Sequence, residues 1–322
     1  MTARYKVTVE YLGTTYKGVV YQPGLKTVSS VLQRALGQLA GPVNVKPIQW
    51  SSRTDSGVHA TGNVFHVDIT RVRKQGRLGS DPFRAEDIGR AVNFSLQNSS
   101  EDVQIVGIDL VPDIFHARHN AIERTYLYKL IHPLTEKSED PQKLPRRGAW
   151  HLNQMLLNER GRSWQCPTKL DISKMREATN LLKGIHDFSS FRGSECVMKS
   201  PMRNIEEFEL VSHQPISAGM LLYQPITFTI RCRSFLNKQV RNMIGSVVEV
   251  GAELMSLEDL RNLLDAKDRT LAPPPAPAHG LYLQVLLSMS RYCFFFQQFL
   301  YEGSQVSNNG RDCQSCSNLR RK

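Results

Sequence analysis

A short polar segment between two apolar stretches holds the residues best suited to chemistry. Residues 51–62 read SSRTDSGVHATG and separate an apolar run that ends at Trp50 from the alternating residues 63–67. Polar residues between two strand-like stretches are typical of a loop held by strands on either side. Gly57 permits a sharp turn, because glycine adopts positive φ at little cost. Asp55 precedes that turn and could act as a nucleophile, although most loop aspartates only cap their own turn.

An aspartic protease is one alternative, because residues 55–57 read Asp-Ser-Gly, the active-site tripeptide of those enzymes. Aspartic proteases need two carboxylates that share one proton. The sequence has no second Asp-Ser-Gly or Asp-Thr-Gly, and Arg53 and Thr54 precede the aspartate where a protease would have apolar residues. The sequence therefore excludes this class.

The charge of the chain favours a polyanionic partner. The 322 residues include 41 Lys and Arg against 30 Asp and Glu, which gives a formal net charge of +11. Such an excess favours binding to phosphates, because counterions are released when the complex forms. Basic proteins with other roles are also common, so the charge supports a nucleic-acid partner without proving one. The length suits one large domain or two small ones.

The sequence predicts no metal and no cofactor. The six cysteines are scattered, and the pair Cys313 and Cys316 lacks the second pair that a structural zinc site usually needs. A nucleotide-binding glycine motif is missing as well. Without a secretory signal, we expect reduced thiols in an intracellular protein. Residues 281–300 are apolar, but Arg291 and several glutamines interrupt them, so we expect no membrane contact.

Strand and helix patterns alternate along the chain. Periodicity predicts strands at residues 4–12, 43–50, 103–111, 123–129, 203–212 and 222–232. It predicts helices that begin at Thr27, at residue 84, at Asp171, within residues 234–245 and at Ser256. Residues 273–277 read PPPAP and predict a stiff linker. This order indicates an α+β fold.

Five segments, in order along the chain, are similar to motifs of one enzyme family. Residues 53–60, RTDSGVHA, resemble the signature loop of the TruA family of tRNA pseudouridine synthases, which usually reads Gly-Arg-Thr-Asp-Ala-Gly-Val-His. The other segments are 124–128 (RTYLY), 187–191 (DFSSF), 235–245 (FLNKQVRNMIG) and 278–285 (AHGLYLQV). The similarity spans residue 5 to about residue 288. It departs at Val19, where family members often have tryptophan.

The resemblance implies roles for individual residues. Asp55 would be the nucleophile, and Arg241 would pair with it. The first tyrosine of the second motif, Tyr126, would stack on the target uracil, and Arg53 would fill the gap left by the flipped nucleotide or hold its backbone. Taken alone, Tyr126 is more simply a core residue and Arg241 a helix-surface arginine. His59 is expected to support the loop.

The resemblance also implies an α+β fold of two similar halves, each a mostly antiparallel sheet backed by helices, that meet at a basic active-site cleft. The N-terminal half, 1–118, would carry the Asp55 loop. The C-terminal half, 119–288, would contain an insertion near 133–161, and 289–322 would be a divergent, partly disordered tail.

The predicted function is isomerisation of a uridine in tRNA, in the region of the anticodon stem-loop, by a homodimer. The expected location is mitochondrial or cytoplasmic, with the mitochondrion favoured by the resemblance. The insertion and the divergent motifs are most similar to an animal branch of the family. The alternative is an RNA-binding protein that keeps the fold without catalysis. The presence of Asp55, Tyr126 and Arg241 together favours the enzyme, because a binding protein needs none of them.

Overall fold

The structure is a computed structural model that describes residues 1–72, 81–134, 156–218 and 221–287. The strands are β1 (Thr2–Tyr11), β2 (Gln49–Trp50), β3 (His59–Thr70), β4 (Val103–Val111), β5 (Ala121–Pro133), β6 (Trp164–Gln165), β7 (Gly184–Asp187), β8 (Met202–Ile205), β9 (Glu207–Ser212), β10 (Ile216–Ala218), β11 (Leu221–Cys232) and β12 (Leu281–Leu287). The helices are α1 (Val28–Ala40), α2 (Ala85–Asn98), α3 (Ile172–Leu181), α4 (Gln239–Gly251) and α5 (Leu257–Ala266).

One ten-stranded sheet joins strands from both ends of the chain, with the main order β10-β11-β5-β12-β3-β1-β4. Its pairs are antiparallel, except that β12 runs parallel to β3 and β6 runs parallel to β5. Strands β7 and β8 form a separate two-stranded sheet. The predicted α+β class with a mostly antiparallel sheet is therefore confirmed.

The core lies between one face of the sheet and the helices. Along β1 the alternate residues Tyr5, Val7 and Val9 are fully buried, as expected where one face of a strand is covered. They belong to the same buried cluster as Leu32 and Leu36 of α1. The apolar face of α1 therefore packs on the face of β1 that carries Tyr5, Val7 and Val9.

Side-chain caps begin three of the helices where the sequence predicted. Thr27 and Ser30 form a capping box at α1, and Ser256 forms another at α5. Asp171 accepts hydrogen bonds from two backbone N–H groups at the start of α3. Such caps satisfy donors that the first turn of a helix leaves unpaired.

Three predicted elements differ in extent. Of the strand predicted at residues 43–50, only β2 forms, because Pro42 and Pro47 cannot donate to a ladder and Pro42–Asn44 is a short 3-10 turn. The strand predicted at residues 203–212 is two strands, since β8 pairs with β7 while β9 pairs with β11. Helix α4 begins only at Gln239, because the left-handed backbone of Lys238 (φ 59°) interrupts the earlier residues.

Residues Met1–Leu287 form one compact unit. The division into halves at 118/119 stays a prediction. The predicted tail, 289–322, lies outside the described residues, and so does most of the predicted insertion near 133–161. Within the described residues, no helix is long and apolar enough to cross a membrane.

Candidate active site

A buried network of polar side chains holds the loop that carries Asp55. The Tyr11 hydroxyl lies 2.8 Å from Thr54 Oγ1 and accepts a hydrogen bond from Asn63 Nδ2 at 3.1 Å. The Ser51 hydroxyl is 3.1 Å from Asn63 Oδ1. Burial raises the pKa of Tyr11, so its phenol stays protonated within this network. Tyr11 of β1, held by Asn63 of β3, thus contacts Thr54, the residue before Asp55.

Gly57 makes the turn that the sequence predicted. Its φ is +80°, in the region that favours glycine. The turn is closed by a hydrogen bond from the Val58 N–H to the Asp55 carbonyl at 3.2 Å. A Cβ atom at this position would lie 3.2 Å from the Cβ of Ala278. Glycine is therefore needed for the backbone conformation and for contact with the segment before β12.

His59 supports the loop, as expected, and also links it to that segment. Its Nδ1 accepts a hydrogen bond from the Gly13 N–H at 2.9 Å, so Nε2 carries the proton and donates to the His279 carbonyl at 3.0 Å. Its ring stacks on Tyr282 with centroids 4.6 Å apart. Burial lowers the pKa of His59 to about 4. The imidazole is therefore neutral at physiological pH.

Arg241 reaches the Asp55 loop from the first turn of α4. Its Nη1 lies 3.8 Å from Asp55 Oδ2, and its Nε donates to the Ala276 carbonyl at 2.6 Å. The Arg241 side chain is 15% exposed and that of Asp55 33%. Burial lowers the pKa of Arg241, but a guanidinium remains charged in proteins. The structure thus brings together the two residues that the sequence paired.

Tyr126 lies in β5 beside the same loop. Its side chain forms a hydrogen bond with Ser52, and the charge of Asp55 acts on its hydroxyl. Burial raises the pKa of Tyr126 to about 12. The residue is only 8% exposed, and its ring meets Phe235 edge-to-face at 5.2 Å. The Tyr126 hydroxyl is thus within reach of the charge of Asp55, but the residue is largely covered.

Arg53 is exposed, and it makes no hydrogen bond or ion pair with the residues that the structure describes. The structure therefore does not bring its guanidinium to the pair of Asp55 and Arg241. Within the same residues, no group of three or more His, Cys, Asp or Glu is arranged to hold a metal ion.

Sequence reasoning missed two residues of β5 whose hydrogen bonds hold the site. Arg124 donates to the Ser51 carbonyl at 3.0 Å and to the Arg233 carbonyl at 2.6 Å, so it fixes the start of the loop. The Tyr128 hydroxyl donates to the Pro277 carbonyl at 2.9 Å. Both residues belong to the motif at 124–128, and that motif was the signal that could have identified them.

Comparison with known proteins identifies the enzyme class. The aspartate loop lies near an arginine from helix α4 and a tyrosine from strand β5, which is the combination that the resemblance to pseudouridine synthases implies. A family profile described as tRNA pseudouridine synthase matches residues 178–285.

Relatives that align with most of the chain extend this match beyond residues 178–285. The tRNA pseudouridine synthase A of Bartonella henselae is 36% identical over 280 residues, covering 87% of this chain and 97% of that protein. The protein of the same name from Hyphomonas neptunium is 35% identical over 282 residues, covering 87% and 96%. The chain therefore belongs to the TruA family of tRNA pseudouridine synthases. The predicted enzyme class, an isomerase that makes pseudouridine, is confirmed at the level of the family.

Proposed function

We propose that this protein converts a uridine in tRNA to pseudouridine, with Asp55 as the nucleophile. Membership of the family and the net charge of +11 support an RNA substrate. The observation that carries the proposal is the 3.8 Å approach of Arg241 Nη1 to Asp55 Oδ2. A carboxylate that only capped its own turn would need no buried cation from another part of the chain.

Pseudouridine formation needs no oxidant and no energy source. The C1′–N1 bond breaks, the uracil turns, C5 bonds to C1′, the C5 proton leaves and N1 takes up a proton. The Asp55 carboxylate would attack the nucleoside or remove a proton from its sugar, and the exposed third of its side chain leaves room for either approach. Arg241 would attract and orient the carboxylate through the reaction.

Tyr126 and Arg53 have distinct roles in the proposal. Stacking on the Tyr126 ring would offset the cost of taking the uridine out of its helix, which is on the order of a few kcal/mol. Because the ring is 8% exposed, the uracil has to displace part of the Phe235 contact. The exposed Arg53 is free to enter the gap in the RNA or to hold its backbone.

The predictions of the target region in tRNA, the oligomeric state and the cellular location rest on the resemblance alone. We propose a target in the region of the anticodon stem-loop, a homodimer, and a mitochondrial or cytoplasmic location, with the mitochondrion favoured. The similarity to an animal branch of the family is a prediction of the same kind, since the relatives described above are bacterial.

Conversion of unmodified tRNA by the purified protein tests the function. We expect release of the C5 hydrogen and formation of pseudouridine by the wild type. Asp55→Asn should remove both while tRNA affinity stays within about twofold. Asp265→Asn is the matched control, because Asp265 is an exposed carboxylate on α5. Full activity of Asp55→Asn would end the nucleophile assignment. A wild type that binds tRNA but converts no uridine would favour the non-catalytic RNA-binding protein.

Mapping pseudouridine in tRNA from cells without this protein would name the target. A site that disappears, and that returns with the wild type but not with Asp55→Asn, is the substrate. Persistence of every site would contradict the proposed function.

A further inference from the structure

The segment between α5 and β12 contacts Arg241 and also the loop that carries Asp55. We call residues 272–280 the strap; it contains the proline-rich stretch 273–277. The Ala276 carbonyl accepts a hydrogen bond from Arg241 Nε at 2.6 Å, and the Ala276 N–H donates to the Arg241 carbonyl at 2.9 Å. The strap therefore binds this arginine through its side chain and its backbone.

Backbone contact between the strap and α4 is close. A Cβ atom at Gly245 would lie 2.5 Å from the Pro274 carbonyl oxygen. No side chain fits between the helix and the strap at this point, so a shift of one moves the other.

The other end of the strap contacts the Asp55 loop. Ala278 lies against Gly57, with 3.2 Å between its Cβ and the position of a Cβ on the glycine. The His279 carbonyl accepts the hydrogen bond from His59 Nε2 at 3.0 Å. Ala276 and Ala278 are two residues apart, so a short piece of backbone connects the support of Arg241 with that of Asp55.

Arg269 fixes the start of the strap to α4. Its Nη1 donates to the Ala272 carbonyl at 3.1 Å, and its Nη2 lies 3.3 Å from the Pro273 carbonyl and 3.1 Å from Asn242 Oδ1. Asn242 follows Arg241 in the chain, is buried, and donates to the Phe191 carbonyl at 2.6 Å. One guanidinium thus joins the strap to the residue next to the proposed catalytic arginine.

We propose that Arg269 is a positioning residue for the reaction: it holds the strap against α4 so that Ala276 directs Arg241 toward Asp55. The proposal rests on the proposed function. Binding Ala272, Pro273 and Asn242 at the same time requires a planar group with several diverging donors, which lysine does not have. Arg269 acts through Arg241 and does not touch the substrate, so its loss should slow the reaction without weakening RNA binding.

Kinetics of Arg269→Gln and Arg269→Lys test this role. We expect kcat to fall about 10- to 100-fold, because small misplacements of a reacting group have effects of this size. KM and the Kd for tRNA should stay within about twofold, and the lysine variant should lie between glutamine and wild type. Arg261→Gln is the matched control, because Arg261 is 63% exposed on α5 and its ion pair within the described residues is with Glu258 of the same helix at 3.7 Å. An unchanged kcat in both variants, or a rise in KM with kcat unchanged, would overturn the proposal.

Amide exchange provides a readout that needs no substrate. The Ala276 N–H should exchange faster in Arg269→Gln than in the wild type and in Arg261→Gln, because its bond to the Arg241 carbonyl loosens. Unchanged exchange at Ala276 would overturn the positioning role even if the RNA activity were absent. Inactivity of the wild type with faster exchange in the variant would contradict only the proposed function. A lower Tm with unchanged kcat for the folded fraction would make Arg269 a structural residue only.

Discussion

Arg241 lies 3.8 Å from Asp55 through its Nη1, while its Nε is bound to the Ala276 carbonyl at 2.6 Å. The longer distance is an ion pair rather than a direct hydrogen bond. No hydrogen bond to the Asp55 carboxylate is formed within the described residues, so its oxygens are open to a substrate while the charge of Arg241 still acts on them. The strap, not the carboxylate, fixes the guanidinium.

Arg241→Lys should therefore be severe. A lysine has one compact charge and lacks the planar fork in which Nε binds the Ala276 carbonyl while Nη1 faces Asp55. We expect kcat to fall at least about 100-fold with tRNA affinity within about threefold. Single-turnover conversion of tRNA measures the first quantity and filter binding the second. Arg261→Lys on α5 is the control, and near-normal kinetics of Arg241→Lys would remove Arg241 from the site.

Tyr126→Phe separates the ring of this residue from its hydroxyl. Burial raises the pKa of Tyr126 to about 12, so the hydroxyl is protonated at neutral pH and is poorly suited to take the C5 proton. We expect Tyr126→Phe to keep kcat within about tenfold and Tyr126→Leu to lose more than about 100-fold, because stacking needs an aromatic face. The rate of C5 hydrogen release measures both variants. Equal losses would mean that the hydroxyl takes part in the reaction.

The sequence identified Asp55 and Arg241 in their motifs, but it missed residues that act through backbone groups, including Arg124 and Tyr128 of the motif at 124–128. Asp55 and Arg241 could be predicted because their neighbours match a family pattern. Ala276 could not, since its role depends on carbonyl and N–H groups that every residue has. Arg269 was missed because its three acceptors come together only when the strap packs on α4.

Local sequence patterns also predicted most of the helices and strands. Strand β4 has the predicted bounds, Val103–Val111, and three helices begin at predicted caps. The division of residues 203–212 into two strands was missed, because it depends on which distant strand each part pairs with. Pairing of this kind leaves no periodic signal in the sequence.

Gly57→Ala should reduce both activity and stability, and Gly24→Ala is its matched control. Both glycines have positive φ, +80° and +73°, but a Cβ meets Ala278 at 3.2 Å only at Gly57. We expect the control to lose about 1 kcal/mol of unfolding free energy and little kcat. Gly57→Ala should lose more stability and at least about tenfold in kcat, because the Asp55 loop must move away from the strap. Urea unfolding and tRNA conversion measure the two effects, and equal kcat in both variants would contradict this account.

His59 should make the protein sensitive to acid. Burial lowers its pKa from an ordinary value of 6.5 to about 4, so the unfolded chain binds the extra proton first as the pH falls. The stability that depends on neutral His59 is therefore complete above pH 6.5 and is lost as the pH falls toward 4, with a slope of about 1.4 kcal/mol per pH unit for one proton. Burial lowers the pKa values of His66 and His132 to about 4 in the same way, so the wild type should show a slope of more than one proton.

Replacing one histidine isolates its share of this slope. His59→Gln should lower the free energy of unfolding at pH 7 and reduce the slope between pH 6.5 and 4 by about one proton, as measured by urea unfolding across that range. His132→Gln should reduce the slope similarly, but only His59→Gln should also slow tRNA conversion at pH 7, because His59 joins the Asp55 loop to the strap at His279. A His59→Gln variant that keeps the wild-type slope would show that this imidazole titrates normally in the folded protein. A variant with a reduced slope and full activity would separate the acid sensitivity from the support of Asp55.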